Sequence, residues 1–106
     1  MTTVEEEEAR LRHVYRGLPA QQAAVADGLI VEAARLRVRL DMLWQDILEK
    51  GETEMFSQSP NTEPYERERP AARLFNTTDN NYRNVIKQLN GLLSSCTEER
   101  DDLMDF

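Results

Sequence analysis

LIVEAARLRVRLDMLWQDI, residues 29–47, carries apolar or small side chains at alternating steps of four and three: Leu29, Ala33, Leu36, Leu40, Leu43 and Ile47. That spacing keeps one stripe of an α-helix facing a partner along its whole length. The same rhythm returns in AARLFNTTDNNYRNVIKQLNGLLSSC, residues 71–96, at Ala71, Phe75, Thr78, Tyr82, Val85, Leu89, Leu92 and Cys96. Two such stripes predict two helices that zip together. The expected fold class is therefore all-α: a long antiparallel helical hairpin with a short N-terminal helix in front of it.

The local signals place the ends of these helices. Residues 3 to 16 predict the first, with Thr3 as N-cap, glutamates in the first turn where the helix dipole favours them, and Gly17 as its stop. Pro19 sits where the next helix begins, and from Ala20 to Lys50 only Gly28 disfavours continuous helix, by about 1 kcal/mol relative to Ala. Gly51 then ends it as a C′ residue. Residues 51–69 form an extended loop, long for a helix connection, in which Met55, Phe56 and Tyr65 offer something to pack. Pro70 opens the third helix at its first position, and that helix is expected to reach about Ser95 in spite of five asparagines. The division expected is a helical hairpin domain over residues 1–97 and an acidic C-terminal tail over 98–106. That tail could be a terminal helical turn, a disordered arm or a docking peptide.

The chain has 106 residues and a formal charge of −7. Its acids are unevenly placed, with four at Glu5 to Glu8 and five more at Glu98, Glu99, Asp101, Asp102 and Asp105. Residues 9 to 97 hold 12 basic and 11 acidic side chains, so the body is nearly neutral between acidic ends. The lone cysteine, Cys96, continues the apolar stripe and reads as a core residue in a reducing compartment. MTTVEEEEAR lacks the basic flank and apolar run of a signal peptide, and no apolar stretch reaches membrane-spanning length, so a cytoplasmic location and no membrane partner are expected.

A hairpin of this size buries little apolar surface alone, and self-association is the natural remedy. Helix two carries a second apolar row, Val31, Ala34, Val38, Met42 and Leu48, which the first helix is too short to cover with Leu11, Val14, Tyr15 and Leu18. Val31, Val38, Met42, Leu48 and Trp44 are therefore the expected oligomer interface. The alternative is that helix one and the long loop fold back over this row in a monomer. On helix three, Arg73, Asn76, Thr77, Asn80, Arg83, Asn84, Lys87 and Asn90 point outward with no carboxylate among them. Cations neutralise phosphates and amides bond to phosphate or base edges, so Arg67, Arg69, Arg73, Asn80, Arg83 and Lys87 are the expected DNA contacts, against the alternative of a plain solvated face. Arg35, Arg37 and Arg39 form a second basic cluster, of which Arg37 and Arg39 flank the seam and are expected to pair with acids of a neighbouring helix.

Catalytic constellations, metal-ligand spacings and phosphate loops are absent from the sequence. His13 reads as a surface residue, and neither enzymatic activity nor a cofactor is expected.

LRVRLDMLWQDILEKGETEMF, joined through a polar connection to ERPAARLFNTTDNNYRNVIKQLNGLL, resembles the small terminase subunits of tailed phages. The shared marks are the Glu49, Lys50, Gly51 stop, the variable loop, the Pro70, Ala71 start and the Leu89, Leu92, Leu93 stretch, together covering residues 29–93. Where many relatives end in a short Gly-Leu-Thr-Pro-like segment, this chain has Ser94, Ser95, Cys96 and the acidic tail. The resemblance implies a non-catalytic DNA-packaging protein that forms an oligomeric ring, contacts double-stranded DNA and recruits or modulates the large terminase subunit in the host cytoplasm. Leu103, Met104 and Phe106 would then be the docking residues for that subunit. An alternative from another class is a small acidic inhibitor or adaptor, encoded by a phage or mobile element, that binds a host protein.

Overall fold

A computed structural model describes the backbone of residues 2–104 and the side chains of residues 2–95. Among these, α1 spans Val4–Val14, α2 Ala20–Lys50 and α3 Pro70–Met104, and the molecule is 76 Å long by 26 × 19 Å across. The predicted starts hold. Thr3 accepts a hydrogen bond from the Glu6 amide at 3.2 Å, which satisfies one of the donors that a helix leaves free at its N-terminus. Gly17 takes a positive φ of 87° and turns the chain, α2 begins directly after Pro19, and Pro70 is the first residue of α3.

The two long helices pack against each other through the expected seam. Ala33, Leu40 and Ile47 are buried on α2, Thr78, Val85 and Leu89 on α3, and Leu29, Leu36, Leu43, Phe75, Tyr82 and Leu92 are half-buried between them. Ala72 is buried beside the predicted Ala71, and the seam position expected at Cys96 lies outside the described side chains. α1 lies against a different stripe of α2. Leu11 and Tyr15 close over Ala26, Ile30 and Ala34, with Val85 and Leu89 completing the cluster, so the deepest part of the core is a three-helix junction. Ala33 and Ala34, both fully buried, let the three backbones approach closely there. Val14 stays about half exposed, Leu18 packs against the cluster as expected, and Val4 joins it.

Residues 51–69 correct the all-α expectation. Instead of a loop they form a β-hairpin, β1 Thr53–Phe56 and β2 Tyr65–Glu68, antiparallel with Glu54 opposite Arg67 and Phe56 opposite Tyr65. Opposite charges and aromatics directly across a strand pair stabilise it, and here the rings stand edge to face at 5.9 Å. Arg69 anchors the hairpin to the helices by donating to the Gly51 carbonyl at 2.7 Å and to Asp46 at 2.8 Å. That contact, with Lys50 adding to it, holds the Asp46 carboxyl below its ordinary range. The third helix also runs further than expected, to Met104 rather than Ser95, so residues 98–104 of the acidic tail have helical backbone. The helix continues past the asparagines because its stability comes from the buried stripe that packs on α2 and α1 more than from local propensity.

Tyr15 ties α1 to α3 by donating its phenol proton to Asn90 Oδ1 at 2.8 Å. Burial raises its pKa above 10, with Tyr82 adding and Arg10 opposing. The folded chain thus keeps the proton after the unfolded chain has lost it. The stability this contributes is complete below about pH 10 and falls as pH rises toward the folded pKa. Tyr15→Phe is expected to cost about 1 kcal/mol at neutral pH and to flatten the loss of stability as pH rises past about 10. Urea titrations of both proteins on either side of that pH check it, and an unchanged alkaline slope would place the titration elsewhere.

Candidate functional site

The hairpin is only two helices thick above α1, so both its flanks are open to solvent. At 3.6 residues per turn, Val38 and Met42 project from α2 roughly 120° away from Trp44 and Leu48. The row predicted as one interface therefore divides. Ala34 is covered by α1, Val31 and Val38 are half-buried, and Met42, Leu48 and Trp44 are 59%, 62% and 46% exposed. The β-hairpin reaches only the edge of Trp44, where Thr53 and Glu68 share a groove with it, and Trp44, Met42 and Leu48 stay largely open.

On the first flank, Val38, Met42 and Leu43 meet Leu74 of α3 around an open groove of about 560 Å³, whose rim carries Arg35 and Arg39. Leu74 is 55% exposed and was not among the predicted residues. Directly below, Arg35 and Arg39 face Asn81 and Asn84 across a second groove of about 380 Å³, which Glu32 also lines. On the second flank, Trp44 lies against Phe75 with ring centroids 5.6 Å apart, beside Asp41 and Asp79. α1 occupies the lower part of this same side, because its stripe Leu11 and Tyr15 fills the groove over Ile30 and presents Glu5 and Glu6 to solvent.

The predicted DNA contacts separate into two groups. Arg67 and Arg69 belong to the hairpin's own framework. Arg67 bonds Glu54 at 2.7 Å and stacks 3.6 Å from the Phe56 ring centre, and Arg69 is committed to Gly51 and Asp46. Arg73, Asn80, Arg83 and Lys87 share the outer face of α3, all exposed, as predicted from their spacing. Arg73 lies 3.5 Å from Glu68 and Arg83 3.1 Å from Asp79, pairs loose and exposed enough to be exchanged for a phosphate at little cost. Asn90 from the same stripe is engaged by Tyr15.

The basic cluster on α2 differs from expectation at Arg37. It pairs along its own helix with Asp41 at 2.7 Å and lies 5.7 Å over the Tyr82 ring, instead of bridging to an acid of a neighbouring helix. Its hydrogen bond to Asp41 chiefly raises its pKa. Arg39 also departs from the expected pairing with a neighbouring helix: like Arg35 and Lys87 it has no ion-pair partner among the described residues. The i, i+4 spacing of Arg35 and Arg39 is the sequence signal that they share a face. The docking residues expected at Leu103, Met104 and Phe106 lie outside the described side chains. No helix among the described residues is long and apolar enough to cross a membrane.

Comparison with protein-family models finds no match for this chain, and comparisons with curated proteins and with solved structures find no significant likeness.

Proposed function

We propose that this chain is a non-catalytic DNA-packaging protein of the small terminase kind, which assembles into an oligomeric ring, contacts double-stranded DNA and recruits or modulates a large terminase subunit in the host cytoplasm. One observation carries the proposal: a hairpin one layer thick leaves Met42 and Leu74 open on one side and Trp44 and Leu48 on the other. Exposed apolar patches of this kind mark surfaces that a partner covers. The outer face of α3, with Arg73, Asn80, Arg83 and Lys87, supports the nucleic-acid role, because it combines phosphate-neutralising cations with amides. The acidic C-terminal end, with Leu103, Met104 and Phe106, is the docking element for the large subunit in this proposal.

Light scattering on the purified chain is expected to give a closed oligomer. Its affinity for duplex DNA should fall steeply with salt, and Arg73→Ala with Lys87→Ala should reduce the slope of log affinity against log salt by about 2. A monomer, or a slope unchanged in the double variant, overturns the proposal. The second reading, an acidic inhibitor of a host protein, is favoured by Glu5 and Glu6, which stand exposed without ion-pair partners among the described residues. It requires the opposite result: a monomer or dimer with no affinity for DNA.

A further inference from the structure

We infer that the partner covering each apolar flank is a second copy of this chain, docked first flank against second flank, so that the interface is heterologous. This rests on the proposed assembly and names which surfaces meet in it. The two flanks are different in residues but matched in height along α2. In the upper tier, residues 42–48, one side offers Met42, Leu43 and Leu74 and the other Trp44, Leu48 and Phe75. In the lower tier, residues 35–41, the first side carries Arg35 and Arg39, which have no ion-pair partner among the described residues, with Glu32 at its lower edge, a net positive surface. The second carries the acidic N-terminal end of α1, whose Glu7 lies near enough to Arg37 to help hold its charge.

A neighbour rotated about an axis parallel to the hairpin keeps every residue at its own height. Grease then meets grease, and Arg35 and Arg39 meet Glu5 and Glu6. With the same parallel axis, mating the first flank with itself would instead set Arg35 and Arg39 against their own copies, which costs free energy where water is excluded. Because the mated surfaces are unlike, each added copy leaves one free flank at either end, and the series ends only when a ring closes or a filament grows.

Two single-flank variants test this. Met42→Asp disables the first flank and Leu48→Asp the second, and both positions are exposed enough that helix content by circular dichroism should be unchanged. Each variant alone is expected to sediment at the single-chain mass. Mixed in equal amounts they retain one intact joint between them, and should give a species of twice that mass and nothing larger. A homodimer of either variant, a variant that keeps the wild-type mass, or a mixture that stays monomeric overturns the heterologous joint while leaving assembly itself standing. Wild-type protein at the single-chain mass overturns both. In a second arm, Arg35→Glu with Arg39→Glu should abolish assembly, and mixing with a Glu5→Arg, Glu6→Arg variant should restore it. Loss of DNA affinity with unchanged assembly would make those arginines nucleic-acid contacts instead.

Discussion

Leu89→Ala is expected to lower stability by about 3 to 5 kcal/mol, a large share of the about 5 to 15 kcal/mol that holds a domain folded. Leu89 is the largest fully buried side chain among the described residues, and it sits where all three helices meet. Truncation removes its transfer free energy and leaves a cavity. The surroundings are poorly able to close that cavity, since the nearest fully buried neighbours on α2, Ala33 and Ala34, are already as small as side chains come before Gly. With a urea m-value of about 1–2 kcal/mol/M, the midpoint should move by about 2 M or more. Val25→Ala, at a position 57% exposed, serves as the control and should change stability by less than about 0.5 kcal/mol. A Leu89→Ala cost under about 1 kcal/mol would mean that the three-helix junction is not the core.

Gly51→Asn is expected to destabilise by about 1 to 3 kcal/mol, as much as Gly51→Ala. An ordinary C′ glycine adopts the left-handed helical conformation, which Asn tolerates. Gly51 instead combines a φ of 82° with a ψ of 179°, a region that side chains of either kind strain to enter. The β-hairpin, which begins two residues later, imposes this geometry. Gly51 donates to the Ile47 carbonyl at 2.7 Å to finish α2 and accepts from Arg69 at 2.7 Å, so it must leave the helix and enter an extended strand in one residue. No atom lies within 4 Å of a Cβ placed there, so the cost is conformational and not steric crowding by neighbours. Besides the stability change, hydrogen exchange should quicken at the Arg69 amide, which bonds the Glu52 carbonyl at 2.8 Å. Asn tolerated within about 0.5 kcal/mol would show that the hairpin can hang from an ordinary left-handed cap.

The elements that depend on near neighbours in the chain were legible. Heptad spacing in residues 29–47 and 71–92 marks the seam, and Thr3, Gly17, Pro19, Gly51 and Pro70 mark helix ends, because capping and backbone restriction act within one turn. The β-hairpin was not legible in the same way. Its strands are four residues long and largely exposed; β1 alternates exposed and half-buried positions but places Glu54 on the half-buried side, so neither strand shows the apolar alternation that announces one, and Glu54 with Arg67 becomes a signal only once the register is known. The exposure of the α3 face is legible in its period, but pairing between Arg83 and Asp79 and between Arg73 and Glu68 depends on rotamers and on where β2 lands.

By itself the sequence determined that two long amphipathic helices form and must lie side by side, since periodic apolar side chains leave no other low-energy arrangement in water. Only the tertiary structure decided which part of the second row α1 covers, and hence that the uncovered remainder falls on two opposite flanks. It also engaged Arg67 and Arg69 within the chain by giving them Glu54 and Asp46. The physical reason is range. Helix formation and capping are settled within a few residues of contour, whereas burial and ion pairing belong to whichever distant segment arrives, and no local pattern encodes where α1 and the hairpin come to rest.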